Sequence, residues 1–116
     1  MPILFETPTR VVTTPNVAID EYFGNGSSGT PEISIAHVKA TGVWDEAWQA
    51  PDFDEYVLML KGSVNIEHEG GTTTVKAGQG LLLKKGERVR WRFTEDAEYV
   101  PICLPGFTPD NCNREE

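Results

Sequence analysis

Residues Pro51 to Gly62 read PDFDEYVLMLKG, and the fold class turns on this stretch. From Glu55 it alternates, with Glu55, Val57 and Met59 on one face and Tyr56, Leu58 and Leu60 on the other. That two-residue period is a strand signal. Both faces are apolar beyond the first residue, so the strand is expected to be covered on both sides. It nevertheless opens with a carboxylate, Glu55, preceded by another, Asp54. A desolvated, unpaired carboxylate is costly. Something must pair with Glu55, protonate it or use it.

Outward from this strand the chain keeps the same character. Gly70-Gly71 reads as a hairpin turn inside EYVLMLKGSVNIEHEGGTTTVKAG. GQGLLLKKGERVRWRF reads as strand, turn, strand, with Val89, Trp91 and Phe93 alternating against Arg88, Arg90 and Arg92. EISIAHVKA alternates Ile33, Ile35 and His37 with Ser34, Ala36 and Val38, and EYVPICLPGF supplies a last strand. AIDEYFG suits either one helical turn or a strand. NGSSGTP is a loop by its turn residues. Helical periodicity is almost absent. Many short strands with glycine turns predict a β-sandwich or small barrel.

Composition narrows the function classes. At 116 residues, 39% of them hydrophobic and 24% charged, the chain suits one compact domain. Its formal charge of −8 excludes the basic surface that a nucleic-acid binder needs and offers nothing to an anionic membrane. No apolar run approaches the roughly 20 residues of a membrane-spanning helix. The first ten residues lack the basic region of a signal peptide, so a cytoplasmic location is expected. Cys103 and Cys112 lack metal-site spacing and are expected as reduced thiols.

Two spacings occur together. Gly42-VWDEA-Trp48-Gln49-Ala50-PDFD-Glu55-YVLMLK-Gly62 resembles the first cupin motif, G-x5-H-x-H-x4-E-x6-G. Gly78-QGLLL-Lys84-Lys85-Gly86-Glu87-Arg88-Val89-RWR-Phe93 resembles the second, G-x5-P-x-G-x2-H-x3-N. The resemblance covers Gly42 to Phe93, nearly half the chain. It implies an all-β, double-stranded β-helix or jelly-roll barrel of cupin type. Residues 1–116 would form a single domain, with 1–19 an N-terminal arm or edge strand and 107–116 a polar tail. It also implies a homodimer. Cupins typically hold a divalent metal through three histidines and the glutamate. Here Trp48, Ala50 and Val89 stand at the histidine positions, and only Glu55 stands where a ligand would. Neither metal nor cofactor is therefore expected. FDEYVLMLKG and ICLPGF resemble metal-independent small cupins, namely the EutQ-type group and the small cupin dehydratases.

The register of that resemblance points Glu55 into the barrel, with Val57 and Met59 beside it and Val89 and Trp91 across from it. One role for Glu55 is a satisfied structural carboxylate. The other is a general acid/base, since apolar surroundings raise a carboxyl pKa toward neutrality. His37 and Tyr99 are the candidate second proton groups, and each has core packing as its alternative. Trp48 and Trp91 are expected to flank the pocket, with Asp54, Val57, Met59 and Val89 completing the ligand-binding set. The arginine stripe reads as a solvated or dimer-contact face, unless one arginine reaches the rim to hold an anion. The expected ligand is a polar or aromatic small molecule, with no nucleic acid and no membrane as partner. Three functions follow: a metal-independent dehydratase, isomerase or lyase; a non-catalytic small-molecule-binding or accessory module; or a metalloenzyme with rearranged ligands such as Glu55, His37 and Asp54.

Overall fold

The computed structural model of the chain describes residues 1–115. Its ten strands are β1 (Thr9–Thr13), β2 (Val17–Phe23), β3 (Ser34–Ala40), β4 (Trp44–Asp45), β5 (Asp54–Lys61), β6 (Ser63–His68), β7 (Gly71–Lys76), β8 (Gly80–Leu83), β9 (Arg90–Phe93) and β10 (Ala97–Leu104). They form a six-stranded sheet, ordered β1-β2-β3-β10-β5-β8, and a four-stranded sheet, ordered β4-β9-β6-β7. The observed pairings are antiparallel. The arrangement agrees with the β-sandwich or small barrel expected from the strand pattern and with the jelly-roll implied by the cupin resemblance. The ambiguous AIDEYFG stretch belongs to β2, and β1 is the edge strand of the large sheet.

Local sequence explains the connections. The β6–β7 hairpin turns on Glu69-Gly70, and the Gly70 N–H donates to His68 Nδ1 at 3.1 Å. Gly62, between β5 and β6, has φ 71° and lies against the Asp96 carbonyl, so a side chain there has neither the conformation nor the space it needs.

The inward faces of the two sheets make the core. Val38, Val57, Met59, Val64, Ile66 and Phe93 are buried between them. Trp91 and Tyr99 stack at a centroid distance of 5.1 Å on the same cluster. The aromatic layer continues from Phe93 to Trp44 at 4.9 Å. Beyond Trp91 and Tyr99 the sheets stay apart and enclose a cavity.

One expectation about β5 is overturned. Val57 and Met59 are buried, but Tyr56, Leu58 and Leu60 on its other face are 43%, 50% and 48% exposed. The fold has two layers, so the outer face of the large sheet has no third layer of this chain to cover it.

Candidate functional site

The cavity, open solvent at its mouth included, spans about 610 Å³ of space between atoms. Its walls come from both sheets. Alternation on β10 turns Tyr99, Pro101 and Cys103 inward, β5 contributes Glu55, β9 contributes Trp91, and β3 contributes Ser34, Ala36 and Val38. The connection after β4 contributes Glu46, Gln49 and Phe53, and the segment after β10 contributes Phe107, Cys112 and the exposed Arg114.

Glu55 is the central polar group. Its carboxylate touches cavity space but is ringed by protein, and it makes no hydrogen bond among the described residues. Burial, and then the neighbouring charge of Glu46, push its pKa up to about 8. Glu46 is also raised, chiefly by burial. Two groups oppose that shift: the Arg114 guanidinium, and the Gln49 side-chain amide, whose Nε2 donates to Glu46 Oε2 at 3.0 Å. Donors that stabilise the charged form surround Glu46 and are missing around Glu55. Burial and the Glu46 charge thus favour the protonated form of Glu55, while Arg114 and Gln49 oppose the shift at Glu46. Two carboxyls in unlike surroundings within one cavity are candidates for an acid and base pair. Burial, then the charges of Glu46 and Glu55, hold Tyr99 well above the ordinary phenol range, so its hydroxyl is a neutral donor in the same cavity.

The structure brings together Glu55, Tyr99 and Trp91, three of the residues singled out from sequence. The others lie elsewhere. His37 is on the outer face of β3, opposite Asp20 of β2, because strand alternation gives the inward positions to Ala36 and Val38. Val57, Met59 and Val89 are core residues beneath the cavity and do not line it. Asp54 accepts the Lys85 N–H at 2.9 Å and so fastens the turn after β8. Trp48 packs outside, with the guanidiniums of Arg88 and Arg90 at 4.2 and 5.3 Å from its ring centroid. The connection runs irregularly between β4 and β5, and Gln49, paired with Val89, takes the inward position. The arginine stripe is outward and is met by acids: Arg88 by Glu115, Arg90 by Glu67, and Arg92 by Asp45 and Glu67.

Sequence reasoning missed Glu46, Gln49 and Arg114. No periodicity in WDEAWQ marks which side chains turn inward. Arg114 reaches the cavity only because its segment docks there. The Asp52 N–H donates to the Asn111 carbonyl at 2.9 Å, Asn113 Nδ2 to the Ala50 carbonyl at 2.9 Å, and the Glu115 N–H to the Trp48 carbonyl at 2.8 Å. Arg114 and Gln49 form an antiparallel bridge between these segments.

A metal site of the usual cupin kind does not fit these residues. Of the three histidine positions, Trp48 is packed outside, Ala50 has no donor atom, and Val89 is core. Glu55 lies inside while His37 and Asp54 lie outside, so the rearranged set does not converge either. Among the described residues, no three His, Cys, Asp or Glu side chains come together as metal ligands.

Comparison with known proteins agrees with the fold. Residues 26–98 match the family model described as EutQ-like cupin domain. The chain is 33% identical over 99 residues to a protein of Myxococcus xanthus named endoribonuclease YbeY, a match spanning 84% of this chain and 34% of that one. The chain thus spans about a third of that relative's length. Among solved structures it resembles a putative ethanolamine utilization protein Q of Salmonella typhimurium, with TM-score 0.63, 19% identity, and 78% and 71% of the two chains covered. It also resembles the polyketide cyclase RemF of Streptomyces resistomycificus, with TM-score 0.70, 11% identity, and 96% and 89% covered.

Proposed function

The chain belongs to the EutQ-like cupin family, and from that premise and the cavity chemistry we propose that it is a metal-independent enzyme performing acid/base chemistry on a small molecule. The observation that carries this reading is Glu55, a carboxyl without a hydrogen-bond partner among the described residues, raised by burial to about 8 beside a second carboxyl in the cavity. Natural buried carboxyls are usually satisfied. A carboxyl raised by burial beside a second one whose shift Arg114 and Gln49 oppose is suited to moving a proton.

The reaction class is dehydration or isomerisation next to a carbonyl. Glu46 takes the proton from the carbon beside the carbonyl. Glu55 gives its proton to the departing hydroxyl, which leaves as water, or to another carbon, which yields an isomer. The Tyr99 hydroxyl donates to the carbonyl oxygen as charge develops there. After dehydration, the proton held by Glu46 passes to Glu55 and restores the starting state. One protein of similar fold is named a polyketide cyclase. The endoribonuclease name belongs to a relative of which this chain matches about a third. A net charge of −8 does not favour RNA as a substrate here.

The test is hydrogen exchange at the carbon next to the carbonyl, followed by NMR in deuterated water across a panel of 2-oxo acids, hydroxyketones and keto sugars. The wild type should accelerate exchange in at least one compound. Glu46→Gln should slow it by about 10²-fold or more, and Glu55→Gln should slow the loss of water or the isomerisation that follows by a similar factor. Tight binding of a compound with no acceleration anywhere would leave a binding module instead.

A further inference from the structure

The cavity mouth carries one guanidinium, and the way it is held bears on what the site accepts. Arg114 lines both the main cavity and an adjoining groove that shares Glu21, Phe107 and Cys112 with it. Arg114 makes no ion pair among the described residues, unlike Arg88, Arg90 and Arg92. Its backbone is nevertheless fixed. The bridge to Gln49 and the Glu115 N–H bond to Trp48 fasten the segment across the mouth. A two-pronged ion pair adds to this, with Arg88 Nε and Nη2 donating to the two Glu115 carboxylate oxygens at 2.6 and 2.9 Å. A planar guanidinium carried on a fixed backbone, near the Glu46 carboxyl but in no ion pair among the described residues, can take a carboxylate by two parallel hydrogen bonds. Phe53, Trp91 and Phe107 supply aromatic wall to the cavity, alongside the polar side chains of Glu21, Glu46, Gln49, Glu55 and Tyr99.

We propose that Arg114 is the specificity-determining residue of the cavity, binding the carboxylate of a small acid whose apolar or aromatic body lies against Phe53, Trp91 and Phe107. This rests on the acid/base reading for the chemistry but not for the binding. The substrate class becomes a 2-oxo or hydroxy acid, with its carboxylate at the mouth and its reacting carbons toward Glu55 and Tyr99. The strap of residues 111–115 is then part of the site. Arg88 and Glu115 act as positioning residues, because their ion pair sets where Arg114 stands.

Two matched pairs of probes test this by calorimetry: benzoylformate against benzoylformamide, and pyruvate against pyruvamide. Each pair differs in one negative charge. Wild-type protein should bind the acid at least about tenfold more tightly than the amide in one pair or both. Arg114→Gln should bring that ratio close to one without affecting amide binding, and Arg114→Lys should restore part of it. Arg88→Gln should lower the ratio with Arg114 intact, which a merely structural contact would not do selectively. Glu55→Gln should keep the preference for the acid even where it slows the loss of water or the isomerisation, so failure of the acid/base reading is seen separately. Equal binding of acid and amide by the wild type overturns the proposal. So does a preference that survives Arg114→Gln, or the absence of binding by all four probes at millimolar concentration.

Discussion

At the residue scale, the decisive group is Glu55, and its environment makes folding pH-dependent. Facing it are Glu46 from the connection after β4, Glu21 from β2, Tyr99 and Cys103 from β10, and Cys112 and Arg114 from the strap. Burial also raises both thiols, Cys112 to about 11, so neither cysteine titrates near neutrality. The Glu55 carboxyl shifts from an ordinary 4.5 to about 8. The native state then holds a proton that the unfolded chain releases across that interval. Stability contributed by this group is complete below about 4.5, declines as pH rises, and is lost above about 8. Glu55→Gln should remove this decline. Denaturant unfolding followed from pH 4 to 9 should show a wild type losing on the order of a few kcal/mol more than the mutant. A mutant less stable than wild type at neutral pH would mean that Glu55 is ionised and structurally paired.

At the scale of elements, alternation alone accounts for most placements. Ser34, Ala36, Val38 and Ala40 are buried on β3, as are Trp91 and Phe93 on β9, while the intervening residues face out. The arginines alternating with the β9 aromatics meet acids on β4 and β6, so the basic stripe is neutralised within the chain. Where strands connect, single residues matter. Gly62→Ala should destabilise the fold by about 2 kcal/mol or more, because a Cβ there runs into the Asp96 carbonyl and φ is positive. Gly86→Ala provides the control: φ is also positive, at 82°, but no atom lies within 4 Å of its would-be Cβ, so it should cost less. Thermal unfolding of the two variants separates steric contact from backbone strain. Equal losses would show that the Asp96 contact is without weight.

At the scale of the whole molecule, the outer face of the large sheet asks for a partner. Phe23, Ile35, Ile102, Tyr56 and Leu82 form one cross-strand row through β2, β3, β10, β5 and β8. Leu58 and Val100 pair in the next row. Contiguous exposed apolar patches of this kind mark interaction sites. A second copy of the chain, apposing the same face, is the expected occupant, since symmetric pairing covers both patches at once. Sedimentation equilibrium should show a homodimer at micromolar concentration. Tyr56→Lys, on the outward face, should weaken it at least tenfold with the fold intact. A wild-type monomer at that concentration would refute the pairing. No helix among the described residues is long and apolar enough to cross a membrane.

The jelly-roll and the inward direction of Glu55 followed from the cupin resemblance, while most strands, the hairpin at Gly70 and the face that Tyr99 shares with Pro101 and Cys103 were legible in the sequence. They depend on local alternation, turn residues and motif spacing, which neighbouring residues encode. His37 and Trp48 were not, since both faces of β3 carry apolar residues and the irregular connection before β5 shifts the inward position to Gln49. Nor was the exposure of Tyr56, Leu58 and Leu60, because an apolar outer face reads the same whether this chain or another molecule covers it. Glu46 and Arg114 meet Glu55 across separations of 9 and 59 residues, and only the closing of the two sheets and the docking of the strap put them in one cavity. Glu55 was visible in the sequence, but the shift of its proton affinity comes from desolvation and a neighbouring charge, and both arise only in the folded chain.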